Sequence, residues 1–269
     1  MPIPSLRIRR DLLRTARDAA RVVGPFVAKR HRPYPRSARR KGPGDFVTET
    51  DVAAERKLGK MLLSRYPDHG FLGEETKAVR LDAEYVWVVD PIDGTSNFAQ
   101  GLPLFAVSIA CLHQGEPIAA ACWTAPEGVV HSAGHGLGAF RERRRLSVPR
   151  ARLDDSAVVG VQWYRDHDGD LRFARSIVET GVRVRVFGST VTELCDVATG
   201  RLHANVQEQG KLWDFAAAAL IVLEAGGRFT TWAGDPVFPI DRVDSSRHYP
   251  SIAASPNVHR RLVELLGSH

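Results

Sequence analysis

The 269-residue chain is poor in cysteine, and its three cysteines make no pattern. Cys111, Cys122 and Cys195 share no Cys-x-x-Cys spacing, their number is odd, and each lies in an apolar stretch. That excludes a disulfide framework and points to buried thiols in a reducing compartment. A cytoplasmic location is therefore expected. Long apolar runs are missing as well. None approaches the ~20 residues of a membrane helix. A secretory leader is not expected either, because "RIRR" is followed by "DLLRTARDAARVVG", with charges throughout and no apolar core.

What is present reads as an ordinary globular composition, 43% apolar and 25% charged. The length fits one large domain or two joined units. The net charge of +6 is unevenly placed: residues 1–41 hold 13 Lys+Arg against 2 Asp+Glu, and the rest is mildly acidic. A basic arm can serve nucleic acid or anionic lipid. No aromatic platform accompanies the arginines, so a solvated helix face plus an Arg-rich loop is the preferred reading. Nucleic acid and membrane partners are disfavoured, and a non-catalytic anion- or nucleic-acid-binding role is the lower alternative.

Leu12, Leu13, Ala16, Ala20, Val23 and Val27 recur at helical spacing and predict a first helix over 5–30. The Pro- and Gly-rich stretch 31–45 predicts a loop, and a second helix follows from near Thr50 to Pro67. "GFLGEET" reads as a short strand and turn, 85–90 as a buried strand, and 104–140 as an antiparallel meander. "RERRRLSVPRARLDDS" breaks the pattern and marks a boundary between units 1–147 and 148–269. Beyond it, strands near 157–163, 182–187, 202–206 and 228–232 alternate with helices near 167–180, 190–199 and 214–225. A last strand, "SIAAS", precedes a helix from Asn257. Hairpins in one half and mixed elements in both predict layered α+β rather than a doubly wound sheet.

Three acidic sites stand out. "WVVDPIDGTSNF" (87–98) runs a buried strand into Asp90, with Asp93 three positions on. Burying such carboxylates unpaired costs several kcal/mol on the order given for ions, so positive charge is expected beside them. Pro91 is expected to stop the strand. The turn can then aim two carboxylates and the Ile92 carbonyl at one place. Oxygen donors of that kind suit Mg²⁺ or Mn²⁺. Glu74 in "LGEE" alone reads as a surface turn residue, and Asp214 in "LWDFAAAALIVLEAGG" as a helix N-cap. His131 and His135 are four apart, but Gly134 and Gly136 flank the second, which favours a turn over a metal-binding helix and argues against zinc. Gly94 and Thr95 open a short helix whose amides face an anion well. Metals and amides without a general-base histidine point to phosphoryl chemistry. Two cations ~3.5–4 Å apart can hold both the attacking and the leaving oxygen. The Asp-x-Asp register of haloacid-dehalogenase phosphatases would need an acid where Pro91 stands, so a phosphoenzyme is disfavoured. "GHGLG" (134–138) lacks the spacing of a dinucleotide loop.

Four blocks together, "GDFVTETD" (44–51), "GEE" (73–75), "WVVDPIDGTSNF" (87–98) and "WDFAAAALIVLEAGG" (213–227), resemble the inositol monophosphatase family of metal-dependent phosphatases. The resemblance implies a layered α-β-α-β-α sandwich of the inositol monophosphatase/fructose-1,6-bisphosphatase type and a homodimer. It also implies hydrolysis of a small phosphate monoester with two or three Mg²⁺ ions, Mn²⁺ being an alternative, and often inhibition by lithium. Glu74, Asp90 and the Ile92 carbonyl would bind one ion, and Asp90, Asp93 and Asp214 a second. Gly94 and Thr95 would offer amides to the phosphate. Thr95, paired with Asp51 and helped by Glu74, would position the attacking water. Gly188, Ser189 and Thr190 fall where the family lines the substrate's alcohol end, although Gly-Ser-Thr is also an ordinary helix start. For the substrate-facing glutamate, ungapped counting lands on Gln207, while the "E-x-G" pattern selects Glu208. The run of four alanines after Asp214 departs from the family, where a glycine is common. Inositol monophosphate is the expected substrate. Histidinol phosphate, fructose 1,6-bisphosphate and nucleotide 3′-phosphates are the runners-up.

Overall fold

The computed structural model describes residues 3–32, 39–42, 45–162 and 172–267, with backbone only for 39–42 and 45–47. Helix α1 (Leu6–Ala28) starts at an N-cap, Ser5, and buries Leu12, Leu13, Ala16, Ala20, Val23 and Val27 as the spacing predicts. The expected loop after it contains a short antiparallel hairpin, β1 (Arg39–Gly42) and β2 (Asp45–Val47). Arg36, in the basic arm, lies outside the described residues. Helix α2 (Glu49–Arg65) opens with a reciprocal cap: Thr48 accepts from Thr50 N, and Asp51 accepts from Thr48 N at 2.9 Å.

A seven-stranded sheet follows in chain order: β3 (Gly70–Gly73), β4 (Tyr85–Asp93), β5 (Ala106–His113), β6 (Glu116–Thr124), β7 (Val129–Gly134), β8 (Gly138–Arg141) and β9 (Arg144–Arg145). Only β3 and β4 pair parallel; the rest is the expected meander. The basic stretch expected to break the pattern thus begins as an edge strand. The short helix α3 (Thr95–Gln100) leaves β4 at once.

The second half contributes β10 (Val158–Gln162), α4 (Arg172–Glu179), β11 (Arg183–Arg185), α5 (Thr190–Thr199), β12 (Ala204–Gly210), α6 (Leu212–Glu224), β13 (Arg228–Thr230), β14 (Tyr249–Ala254) and α7 (Pro256–Leu266). The first part of the helix expected over 167–180 lies outside the described residues. The sheet order is β11-β10-β12-β14-β13, with β10 parallel to both neighbours and β14 antiparallel to both of its own.

Three apolar cores set the layers. Trp87, Val89, Ile109 and Trp123 on one face of the first sheet pack on α1 and α2. Val86, Val88, Leu112 and Cys122 on the other face meet α5 and α6. Val159, Val161, Val206 and Ile252 of the second sheet pack on α4 and α7. Residues of one strand point alternately to the two faces, so β4, covered on both, reads as an unbroken apolar run. The order is α-β-α-β-α, the α+β sandwich expected. Among the described residues no helix is long and apolar enough to cross a membrane.

Pro91 does not stop its strand. β4 bulges between Asp90 and Asp93 and resumes pairing, Asp93 against Ala106. A bulge is where a strand tolerates proline, because the missing N–H falls at an interruption of the ladder. Asp214 is not the N-cap of α6 either. Lys211 holds that place in an extended conformation, and Asp214, at the third helical position, accepts from Lys211 N at 2.8 Å.

Candidate active site

The bulge in β4 turns Asp90 and Asp93 to the same end of the sheet. Both are buried. Asp90 Oδ1 accepts from Ile92 N at 2.9 Å, which fixes the turn from within. Gly94 follows at φ 86°, where a side chain would also stand 2.7 Å from the Leu104 carbonyl; glycine alone fits this corner. The corner delivers Thr95, whose hydroxyl lies 3.0 Å from Asp51 Oδ1 and 2.8 Å from the Ile92 carbonyl. Asp51 is buried, and its other oxygen is held by Thr48. So the capping box of α2 and the end of β4 meet in one Thr–Asp pair.

Glu74, half-buried, follows β3. Its turn is tied down by Glu55, a carboxylate buried on α2 that accepts from Glu75 N at 2.8 Å and Thr76 N at 2.7 Å. Sequence reading missed Glu55. Its signal was an acid beside Ala54 on the apolar stripe of α2 that continues through Leu58 and Leu62. Asn97 was likewise read only as part of a motif. Its Nδ2 donates to the Leu104 carbonyl at 2.8 Å and the Phe187 carbonyl at 2.7 Å, binding α3 to the segment before α5.

Asp93 points at the start of α5. Its carboxylate accepts from Thr190 N at 3.2 Å, from Val191 N at 3.0 Å and from the Ser189 hydroxyl. An acid there meets the partial positive charge of the helix. Gly188, Ser189 and Thr190 are therefore beside the acidic cluster, but Ser189 and Thr190 are buried and engaged with Asp93. Of the alternatives on β12, Gln207 is buried, with Nε2 3.2 Å from Thr190 Oγ1. Glu208 is half-buried, and one carboxylate oxygen is buried without a hydrogen bond.

The electrostatics of the cluster are those of crowded like charges. Burial pushes Asp90 well above the usual carboxylate range, and Glu74, Asp93, Asp214 and Asp51 push it further. Burial raises Asp93 to about 7 against the hydrogen bonds from Ser189, Val191 and Thr190. Asp214 is raised well above its ordinary value by burial, then by Glu74 and Asp93, with Lys211 opposing. Burial also raises Asp51, against its bonds to Thr48 and Thr95. Among the described residues no three carboxylate, imidazole or thiol groups are gathered tightly enough to hold an ion as they stand. The carboxylates instead bind nearby backbone amides. Donor type and charge nevertheless fit a hard divalent cation: the set is all oxygen, and Asp90 is raised by Glu74, Asp93, Asp214 and Asp51 together.

The profile of the Inositol monophosphatase family matches residues 9–268. Inositol-1-monophosphatase of Rhizobium meliloti (strain 1021) is 36% identical over 200 residues, covering 72% of this chain and 74% of that protein. The crystal structure of extragenic suppressor protein suhB from Bartonella henselae superposes with a TM-score of 0.84 at 30% identity, over 95% of this chain and 98% of the other. A staphylococcal IMPase-II with inositol monophosphate bound gives a TM-score of 0.77 at 27% identity, over 95% and 93%.

Proposed function

The chain belongs to the inositol monophosphatase family of phosphate monoester hydrolases, and from that premise we propose that it hydrolyses inositol monophosphate with Mg²⁺. The observation that carries this reading is the Thr95–Asp51 hydrogen bond set against the buried Asp90 and Asp93 and the half-buried Asp214. In this reading Glu74, Asp90, the Ile92 carbonyl, Asp93 and Asp214 hold the ions. When bound, Mg²⁺ activates water and spreads the charge of the phosphoryl oxygens. The chain does the orienting. Thr95 Oγ1, donating to Asp51, keeps a lone pair turned outward to accept from the attacking water, and Asp51 is placed to take up its proton through Thr95. The backbone N–H groups of Gly94 and Thr95 face the phosphate. Direct attack by water leaves an alcohol and inorganic phosphate, with no covalent enzyme intermediate.

Within the same proposal, residues 1–147 bring Asp51 to Thr95, residues 148–269 bring Asp214, and the protein works as a cytoplasmic homodimer. Asp90→Asn keeps the shape of the turn and removes the central charge. It is expected to abolish Mg²⁺-dependent phosphate release while leaving the circular dichroism unchanged. Wild-type turnover in that variant ends the assignment. A panel of phosphate esters, assayed with and without lithium, decides the substrate. Inositol monophosphate should lead, and faster release from histidinol phosphate, fructose 1,6-bisphosphate or a nucleotide 3′-phosphate would replace it.

A further inference from the structure

We propose that Glu193 is a positioning residue for Asp93, acting through the first turn of α5. This rests on the reading of Asp93 as part of the ion-holding set.

Glu193 is completely buried, although nothing in the reaction calls on it. Its Oε1 accepts from Gln162 Nε2 at 2.6 Å and from Phe187 N at 3.3 Å, and its Oε2 accepts from Asn205 Nδ2 at 2.8 Å. These partners come from the end of β10, from the segment before α5 and from β12. The sheet is built to receive the carboxyl. Gly160 pairs with Asn205 across β10 and β12, and a Cβ on Gly160 would stand 2.1 Å from Glu193 Oε2. In the next row Gln162 pairs with Gln207, whose side chain reaches Thr190.

The same turn of α5 therefore has two sides. One is fastened to the second sheet through Glu193 and Thr190. The other fastens Asp93 through Ser189, Thr190 and Val191. Phe187 adds a link, since its N–H goes to Glu193 and its carbonyl to Asn97. A leucine of similar size would fill the space without the cost of burying a carboxyl. What the acid adds is direction: three polar partners from three chain segments fix where the turn stands. Groups that orient ion ligands in this way commonly carry about 10–100-fold in ion affinity.

Asn205 Oδ1 is buried without a hydrogen bond, and burial pushes Glu193 up to about 8, so it holds a proton at neutral pH. With the Asn205 amide turned over, the bond between the two side chains is kept with its direction reversed, the Glu193 O–H donating to Asn205 Oδ1. Amide orientation is assigned from such networks. A glutamine at 193 reproduces this pattern, two acceptor bonds on one side and one donor on the other. A leucine reproduces none of it.

The test is Mn²⁺ binding by titration calorimetry, alongside the Mg²⁺ dependence of kcat and KM. Glu193→Gln should stay close to wild type. Glu193→Leu should weaken Mn²⁺ binding by about tenfold or more and raise the Mg²⁺ requirement in parallel. A folded Glu193→Leu that binds Mn²⁺ normally overturns the proposal, and so does Glu193→Gln failing as badly as Glu193→Leu. If Glu193→Leu does not fold, Gln162→Ala decides: this half-buried strand end should give a smaller loss in the same direction, and unchanged affinity overturns the role. Asp90→Asn separates the two levels. If it binds Mn²⁺ like wild type, the ion site falls and takes this role with it. If it is silent while the Glu193 variants behave normally, only the role of Glu193 falls.

Discussion

The two sheets look onto the same middle layer of helices, one with an apolar face and the other with a mixed one. The first presents Val86, Val88, Leu112 and Cys122 to α5 and α6. The second presents buried Asn205 and Gln207, hydrogen-bonded to Glu193 and Thr190 of α5, beside the apolar Phe229, Tyr249 and Ala253. An apolar face is held by burial and close packing, which set no direction for any single contact. A hydrogen-bonded contact adds direction, since a buried donor or acceptor left without a partner costs ~1–3 kcal/mol. The first sheet thus holds the molecule together and offers Asp90 and Asp93 at a strand end. The second fixes the angle at which α5 meets them.

The largest effect that sharpens this division belongs to the apolar sheet. Trp87→Ala empties the centre of the core under α1 and α2 and should cost about 3–5 kcal/mol, read as a lower denaturation midpoint. A cost comparable to a surface substitution would break the comparison. Next comes the acidic end. Asp93 is raised in the folded protein from 3.8 to about 7. Its contribution is present below pH 3.8 and lost as pH rises through 7, and Asp90 and Asp214 act in the same direction. Mg²⁺ should therefore raise the melting temperature more at about pH 8 than at about pH 5. An increment independent of pH would count against the cluster as the place of binding. His131 pulls the other way. Burial lowers it from 6.5 to about 4, so it costs stability as pH falls across that interval. The ion-dependent increment isolates the acids from it.

The smallest effect concerns the bridge between the halves. Glu127, after β6, meets Arg141 of β8 at 2.9 Å and Arg201, before β12, at 2.5 Å. Both hydrogen bonds lower it from 4.5 to about 2. Its contribution is present above pH 4.5 and lost as pH falls toward 2. The pair is partly exposed, so Glu127→Gln should cost only about 0.5–1 kcal/mol at neutral pH and nothing in strong acid. Thermal melts at both ends of the range check it.

Much of the fold was legible because its signals are local. The unbroken run Trp87–Val89 implied a strand covered on both faces, and carboxylates at its end implied a site. The Thr95–Asp51 pair followed from the family resemblance. The bulge at Pro91 was not legible, because it depends on the register of β5, which no local pattern encodes. Asp214 lies three residues further into its helix than expected, since Asp is a favoured N-cap and Lys211 gives no sign of being one. Glu193 looked like any helix acid. The one clue was its place among Thr190, Val191, Leu194 and Val197 on the buried side of α5. Two of its three partners, Gln162 and Asn205, are remote from it in the chain and come together only through the pairing of β10 and β12.

The middle helix layer has a consequence for how the polypeptide is made. The strands of the first sheet leave the ribosome well before Leu212–Glu224, the helix that covers their inner face. Until that helix is synthesised, Val86, Val88, Leu112 and Cys122 are wet, and contacts between such remote segments form late. The nascent first half is thus the sticky form of this protein, and chaperone demand during synthesis should peak there rather than at release.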